Sequence, residues 1–123
     1  MAQFFDIDAA HPFQEQLKAD VGPIVLTNTF LIPEGQMEEA IRIWRLTAVY
    51  ARIQPGYLST QLHRGVAGSN VLINYAVWES AHTLRDCLHS EEFKAIVRDF
   101  PQGTECRAQV FQKIAVEGAC AGV

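Results

Sequence analysis

Val71-Leu72-Ile73-Asn74-Tyr75-Ala76-Val77-Trp78 is the stretch on which the reading of this chain turns. Apart from Asn74 it is unbroken apolar sequence, rich in β-branched and aromatic residues. Such a run, bounded by Gly68-Ser69 before and Glu79-Ser80 after, predicts a strand over Asn70 to Trp78, covered on both faces. The loop Gly65 to Ser69 separates it from Tyr57 to Arg64, a second strand opened by the Pro55-Gly56 turn, so the two form a hairpin.

Working outward, Ile24 to Ile32 predicts a further strand, ended by Pro33-Glu34-Gly35. From Gln36 to about Gln54 the apolar residues Met37, Ala40, Ile41, Trp44, Ala48 and Ala51 recur at helical spacing. After the apolar strand, Ser80 suits the cap of a short helix over Ala81 to Leu88. Ser90 suits the cap of another, with Glu91 and Glu92 in its electropositive first turn. Pro101 and Gly103 stop that helix, and Cys106 to Val116 predicts the last strand. The order βαββαβ is the ferredoxin-like split motif, an α+β fold with its helices on one face of an antiparallel sheet. The other face is left open, yet the first and third strands are apolar on both sides. An open apolar face is an association surface, so a homodimer joined through its sheets is expected.

The chain has 123 residues, enough for one domain. At 49% hydrophobic and 20% charged residues, it has the composition of a folded globular protein. A net charge of −4 without a basic run argues against nucleic acid or an anionic membrane as partner. No apolar run nears the ~20 residues that span a bilayer. Met1 to Asp6 lacks the basic and apolar regions of a signal peptide, and three cysteines are too few for a disulfide framework. A cytoplasmic location is the resulting expectation. The chain divides into an extension over residues 1–22, a domain over 23–116 and a flexible tail over 117–123. Pro12 suits the first turn of a helix running to about Asp20. With Phe4, Phe5, Ile7, Phe13 and Leu17 around it, that helix either docks on the domain or a partner subunit, or belongs to a mobile arm.

Phosphate-binding glycine loops, zinc-protease and serine-hydrolase signatures are missing. His11, His63, His82 and His89 form no ligand set with the cysteines, so no metal site is expected. What stands out is polar residues on apolar strands. Burying the Asn74 amide without partners costs about 1–3 kcal/mol, so something must hydrogen-bond it. Leu72, Asn74, Ala76 and Trp78 share one face, with Asn74 and Trp78 about 13 Å apart and a small residue between them. One flat ligand would reach both; equally, Asn74 would be a structural amide and Trp78 ordinary core. Asn28 sits in the same way between Leu26 and Phe30. His63 shares a face with Tyr57, Ser59 and Gln61, where it serves as a base or simply meets solvent.

Asn74-Tyr75-Ala76-Val77-Trp78-Glu79-Ser80, the later Leu88-His89-Ser90-Glu91-Glu92-Phe93 and the opening Pro55-Gly56-Tyr57-Leu58-Ser59 together resemble the antibiotic biosynthesis monooxygenase family over about residues 23–116. The string around Asn74 is similar to the branch acting on aromatic polyketides. The resemblance implies a dimeric α+β barrel and a cofactor-independent monooxygenase, with dioxygen and a phenolic, quinol or anthrone-like aromatic as substrates. It implies that Asn74 donates to an oxyanion, that Trp78 flanks the rings and that His63 accepts a proton. Asn28, Leu72 and Ala76 would line the substrate site. Leu84 and Lys94 stand where some relatives carry a tyrosine and an arginine that hold or protonate substrate, a departure bearing on substrate identity. The haem-degrading sister group is excluded, because Cys87 and Val97 replace its tryptophan and its iron-ligating histidine. The rival reading is a non-catalytic dimeric barrel that binds a small hydrophobic ligand.

Overall fold

The computed structural model describes residues 2–122. In chain order the elements are β1 (Gln3–Asp6), α1 (Phe13–Gln16), β2 (Ile24–Leu31), α2 (Met37–Ala51), β3 (Tyr57–Arg64), β4 (Val71–Trp78), α3 (Ala81–Leu88), α4 (Glu91–Val97) and β5 (Glu105–Phe111). The five strands form one sheet in the order β1-β5-β2-β4-β3. The α+β, ferredoxin-like reading holds for β2 through β5, which pair antiparallel.

The extension departs from the expectation of a helix to about Asp20. Its helix is a single turn, and a strand precedes it: β1 lies parallel to β5, with Phe4 opposite Cys106 and Asp6 opposite Ala108. The extension is docked on its own domain. Leu17 is fully buried. The Gln16 side chain accepts the Val110 backbone N–H at 2.8 Å and donates to Gln109 Oε1 at 3.0 Å. β5 ends at Phe111 rather than Val116, and Val116 turns back to pair with Cys120.

Local chemistry sets the starts of α3 and α4 as expected, whereas α2 ends at Ala51, short of Gln54. Ser80 Oγ accepts the Thr83 N–H at 3.1 Å, and Ser90 Oγ accepts the Phe93 N–H at 3.2 Å, so each cap takes up an otherwise unpaired helical donor. Gly56 has φ +85°, and any side chain there would run into Thr83, so the turn into β3 can lie against α3 only with glycine. The buried face of α2 is Met37, Ala40, Ile43 and Thr47, with Trp44 packed beside it. The expected Ile41 is rotated outward.

One face of the sheet carries the helices. On it the core falls into two clusters. One gathers Phe30, Ile32, Ile43, Leu72, Phe100 and Cys106. The other gathers Leu17, Ile24, Leu26, Ala76, Trp78 and Leu84. The register explains the division. Phe30 pairs with Leu72 and Leu26 with Ala76, and between those rungs Asn28 pairs with Asn74. Two amides therefore mark the seam between two apolar clusters. The opposite face is open: Tyr75 is 42% exposed, Leu31 45% and Phe111 46%.

Candidate active site

The cavity lies at that seam. It encloses about 500 Å³ and is walled by Leu26, Phe30, Trp44, Phe93 and Phe100, with Asn28 and Asn74 in its lining. A recess of about 50 Å³ adjoins it, sharing Asn74 and reaching Ala76, Trp78 and Leu84. The small Ala76 side chain leaves this space, and the Trp78 ring is held edge-on by Tyr57 at 5.6 Å between centroids.

The two amides present their N–H2 groups for different reasons. Thr60 Oγ1 donates to Asn74 Oδ1 at 2.6 Å, which turns the Asn74 N–H2 group away from β3. Asn28 Oδ1 is sealed within the protein and has no hydrogen-bond partner, so the amide group that Asn28 shows the cavity is its N–H2. Directly opposed residues on neighbouring strands have their Cβ atoms about 5 Å apart. Two neutral N–H2 donors thus converge on one apolar space. Donors fixed in a water-poor site stabilise negative charge forming between them far better than they would in water. The unpartnered Asn28 oxygen is an energetic cost, of the kind that native proteins tolerate at functional sites.

Cys106, on the cavity wall, is buried, and desolvation pushes its thiol up to about 12. Cys87, in the recess, is pushed up to about 11 for the same reason. Both are neutral thiols at physiological pH and behave as small apolar side chains.

Of the residues picked out from sequence, the structure brings Asn28, Asn74 and Lys94 to the large cavity. It brings Ala76, Trp78 and Leu84 to the recess. Leu72 lines neither space; it is core, beneath the rung next to Asn74. The placement of His63 is corrected. It pairs with Ile73 on the open face of the sheet and is exposed, so within the chain it does not reach the cavity. Its grouping with Tyr57 is also corrected, because a bulge between Tyr57 and Ser59 puts Tyr57 on the helix-covered face. Sequence reasoning missed Thr60, whose role depends on the hairpin register that sets it opposite Ala76, within reach of Asn74. It also missed Phe4, Phe13, His89 and Arg98, which line the cavity.

Residues 23–99 match the family described as antibiotic biosynthesis monooxygenase. Among solved structures, SnoaB of Streptomyces nogalater, a cofactor-independent oxygenase, is similar at 22% identity and a TM-score of 0.70, covering 81% of this chain and 99% of that one. A candidate monooxygenase of Shewanella loihica is similar at 29% identity and a TM-score of 0.65, covering 77% of this chain and 97% of that one. A protein of Pseudomonas aeruginosa shares the fold at 20% identity, with a TM-score of 0.65, covering 79% of this chain and 99% of that one. Comparison with curated protein sequences gives no match. The likeness to SnoaB is one of fold; the family assignment rests on the matched residues, which carry the βαββα core and the rung of amides, and by them the chain belongs to the antibiotic biosynthesis monooxygenase family.

Proposed function

We propose that this protein is a cofactor-independent monooxygenase that oxidises a phenolic, quinol or anthrone-like aromatic with dioxygen. The observation that carries the reading is the pair of N–H2 donors converging from Asn28 and Asn74 on an apolar cavity large enough for fused rings. Ground-state dioxygen is a triplet and reacts slowly with closed-shell molecules. An electron-rich aromatic anion passes it one electron directly, so the task left to the protein is to favour that anion and hold it in a dry site. Asn74 and Asn28 donate to the oxyanion as it forms, lowering the cost of ionisation. The rings lie on the apolar walls, with an edge entering the recess beside Ala76 and Trp78, and Leu84 bounds that recess. Lys94 meets polar substituents at the cavity, and Leu72 supports the amide rung from the core. For an anthrone, one oxygen atom becomes the new ring carbonyl, and the other leaves as water with the two hydrogens lost from that carbon.

We further propose that two copies pair through their open sheet faces, as the apolar side chains Leu31, Ile73, Tyr75, Val77 and Phe111 favour. His63 then belongs to the subunit interface and no longer to the proton path.

The test is oxygen consumption on a panel of hydroquinones and anthrones, with quinone formation followed by absorbance. Uptake with one of these substrates, abolished in Asn74→Ala, supports the reading. Tight binding of the same aromatics without oxygen uptake overturns it in favour of a ligand-binding barrel.

A further inference from the structure

The family match begins at residue 23, yet part of the cavity is built by residues ahead of it. β1 adds itself to the edge of β5, and alternation along it puts Phe4 on the cavity side, level with Cys106. Phe5 points the other way, beneath the Arg107 guanidinium at 4.7 Å. Phe13 and Gln14 also reach the cavity, and Gln14 Oε1 lies 2.9 Å from His89 Nε2 at the end of α3. The extension therefore runs from the sheet edge to the helices and is tied at both ends.

The exposed residues of the lining define the mouth. Phe4 is 63% exposed there, so its ring is a solvent-facing part of the lining. Lys94 on α4 and Arg98 at its C-terminal cap, one turn apart, bring two positive charges to the same lining. Lys94 has only a loose partner, Glu91, at 3.9 Å, and Arg98 makes no ion pair among the described residues. The single carboxylate of the lining, Asp6, is already engaged by the Phe13 backbone N–H at 2.8 Å. The mouth thus combines an aromatic platform from the extension with an excess of cationic groups, whereas the floor is neutral.

We propose that the extension is a substrate-selecting wall, and that with Lys94 and Arg98 it restricts the site to fused-ring aromatics bearing an acidic substituent. The phenolic end sits at the Asn28–Asn74 rung. The far ring lies on Phe4 and Phe13, and its carboxylate meets Lys94 and Arg98 in the mouth. The inference names the substrate class of the oxygenase site and rests on that reading for the orientation of the ligand, but not for its binding.

Anthracene-2-carboxylate and its uncharged carboxamide share a shape and differ in charge. Their binding to the full-length protein is measured by ligand fluorescence at neutral pH and low salt. The acid is expected to bind about tenfold more tightly than the amide, from two cations at a partly solvated site. Lys94→Gln combined with Arg98→Gln removes that preference, so that acid and amide bind this variant equally. Phe4→Ala, a change at an exposed ring that leaves the core intact, weakens both ligands several-fold. Phe4→Tyr, which keeps the ring, restores them. Equal affinity for acid and amide overturns the proposal, as does a Phe4→Ala protein that binds both as before. A protein that prefers the acid but consumes no oxygen with any phenolic aromatic leaves this inference standing and defeats the oxygenase reading. Turnover of neutral aromatics without preference for acids does the reverse.

Discussion

Asn28 and Asn74 stand directly opposite each other across the β2–β4 ladder, and each turns its N–H2 group into the same cavity. Thr60 fixes one of them through a 2.6 Å hydrogen bond, and the other leaves its own carbonyl oxygen buried without a partner. Removing one donor of an oxyanion site costs about 100- to 1,000-fold in rate. Asn74→Ala is therefore expected to lower kcat for oxygen uptake by that order, with an unchanged circular dichroism spectrum. A variant retaining the wild-type rate would remove Asn74 from the chemistry.

Asn28→Leu separates stability from function. The substitution deletes the unpaired buried oxygen and fills the same volume with apolar atoms. A gain of about 1 kcal/mol in unfolding free energy is expected, because the penalty of an unsatisfied acceptor disappears. Activity falls at the same time, since one of two donors is lost. Urea unfolding and oxygen uptake on the same sample give both numbers, and a destabilised but active variant would contradict the assignment.

Thr60 acts through Asn74. Thr60→Val keeps the shape and removes the hydroxyl, so the Asn74 amide loses the contact that orients it. A drop of about tenfold in kcat with little change in KM is expected, with recovery in Thr60→Ser, which restores a donor. A merely structural role would appear in the melting temperature and leave the split between kcat and KM untouched.

The buried thiols give a pH signature. Burial raises Cys87 to about 11 and Cys106 to about 12, from an unfolded value of 9.0. Above pH 9 the unfolded chain loses these protons first, so stability is fully present below that pH and declines as the pH climbs toward 11 and 12. In the native protein at pH 8, a thiol reagent is expected to modify the exposed Cys120 rapidly and Cys87 and Cys106 only after denaturant is added. Rapid modification of all three in native buffer would refute the burial.

The open sheet face gives a further test. Tyr75→Glu places a charge in the middle of that face, on the side away from the cavity. Sedimentation is expected to show dimers for the wild type and monomers for the variant. A wild-type protein that sediments as a monomer at high concentration would leave the face without its proposed partner.

Much of this architecture is legible in the residues. The apolar run of β4, the β2 strand and the serine caps of α3 and α4 are each specified locally, and the structure places them within a residue or so of the sequence reading. Asn74 and Asn28 stood out because a lone amide in an apolar strand needs a reason. What escaped was non-local. β1 is four residues whose strand character depends on a partner about a hundred positions later. Thr60 is an unremarkable threonine until the β3–β4 register sets it within reach of Asn74. The bulge after Tyr57 defeats a simple count of alternating faces, which groups Tyr57 with His63. His63 drew notice for its chemistry, and nothing in its local sequence says which side of the sheet it occupies.

The parallel pairing of β1 with β5 makes the cavity a place where two distant segments of the chain are joined. The β1 wall therefore exists only when two segments about a hundred positions apart are paired. A molecule bound against Phe4 and Cys106 at once bridges that junction, and by mass action it lends its binding energy to holding the two strands together. Ligand occupancy would thus be legible far from any chemistry, as slower proteolysis of the first dozen residues.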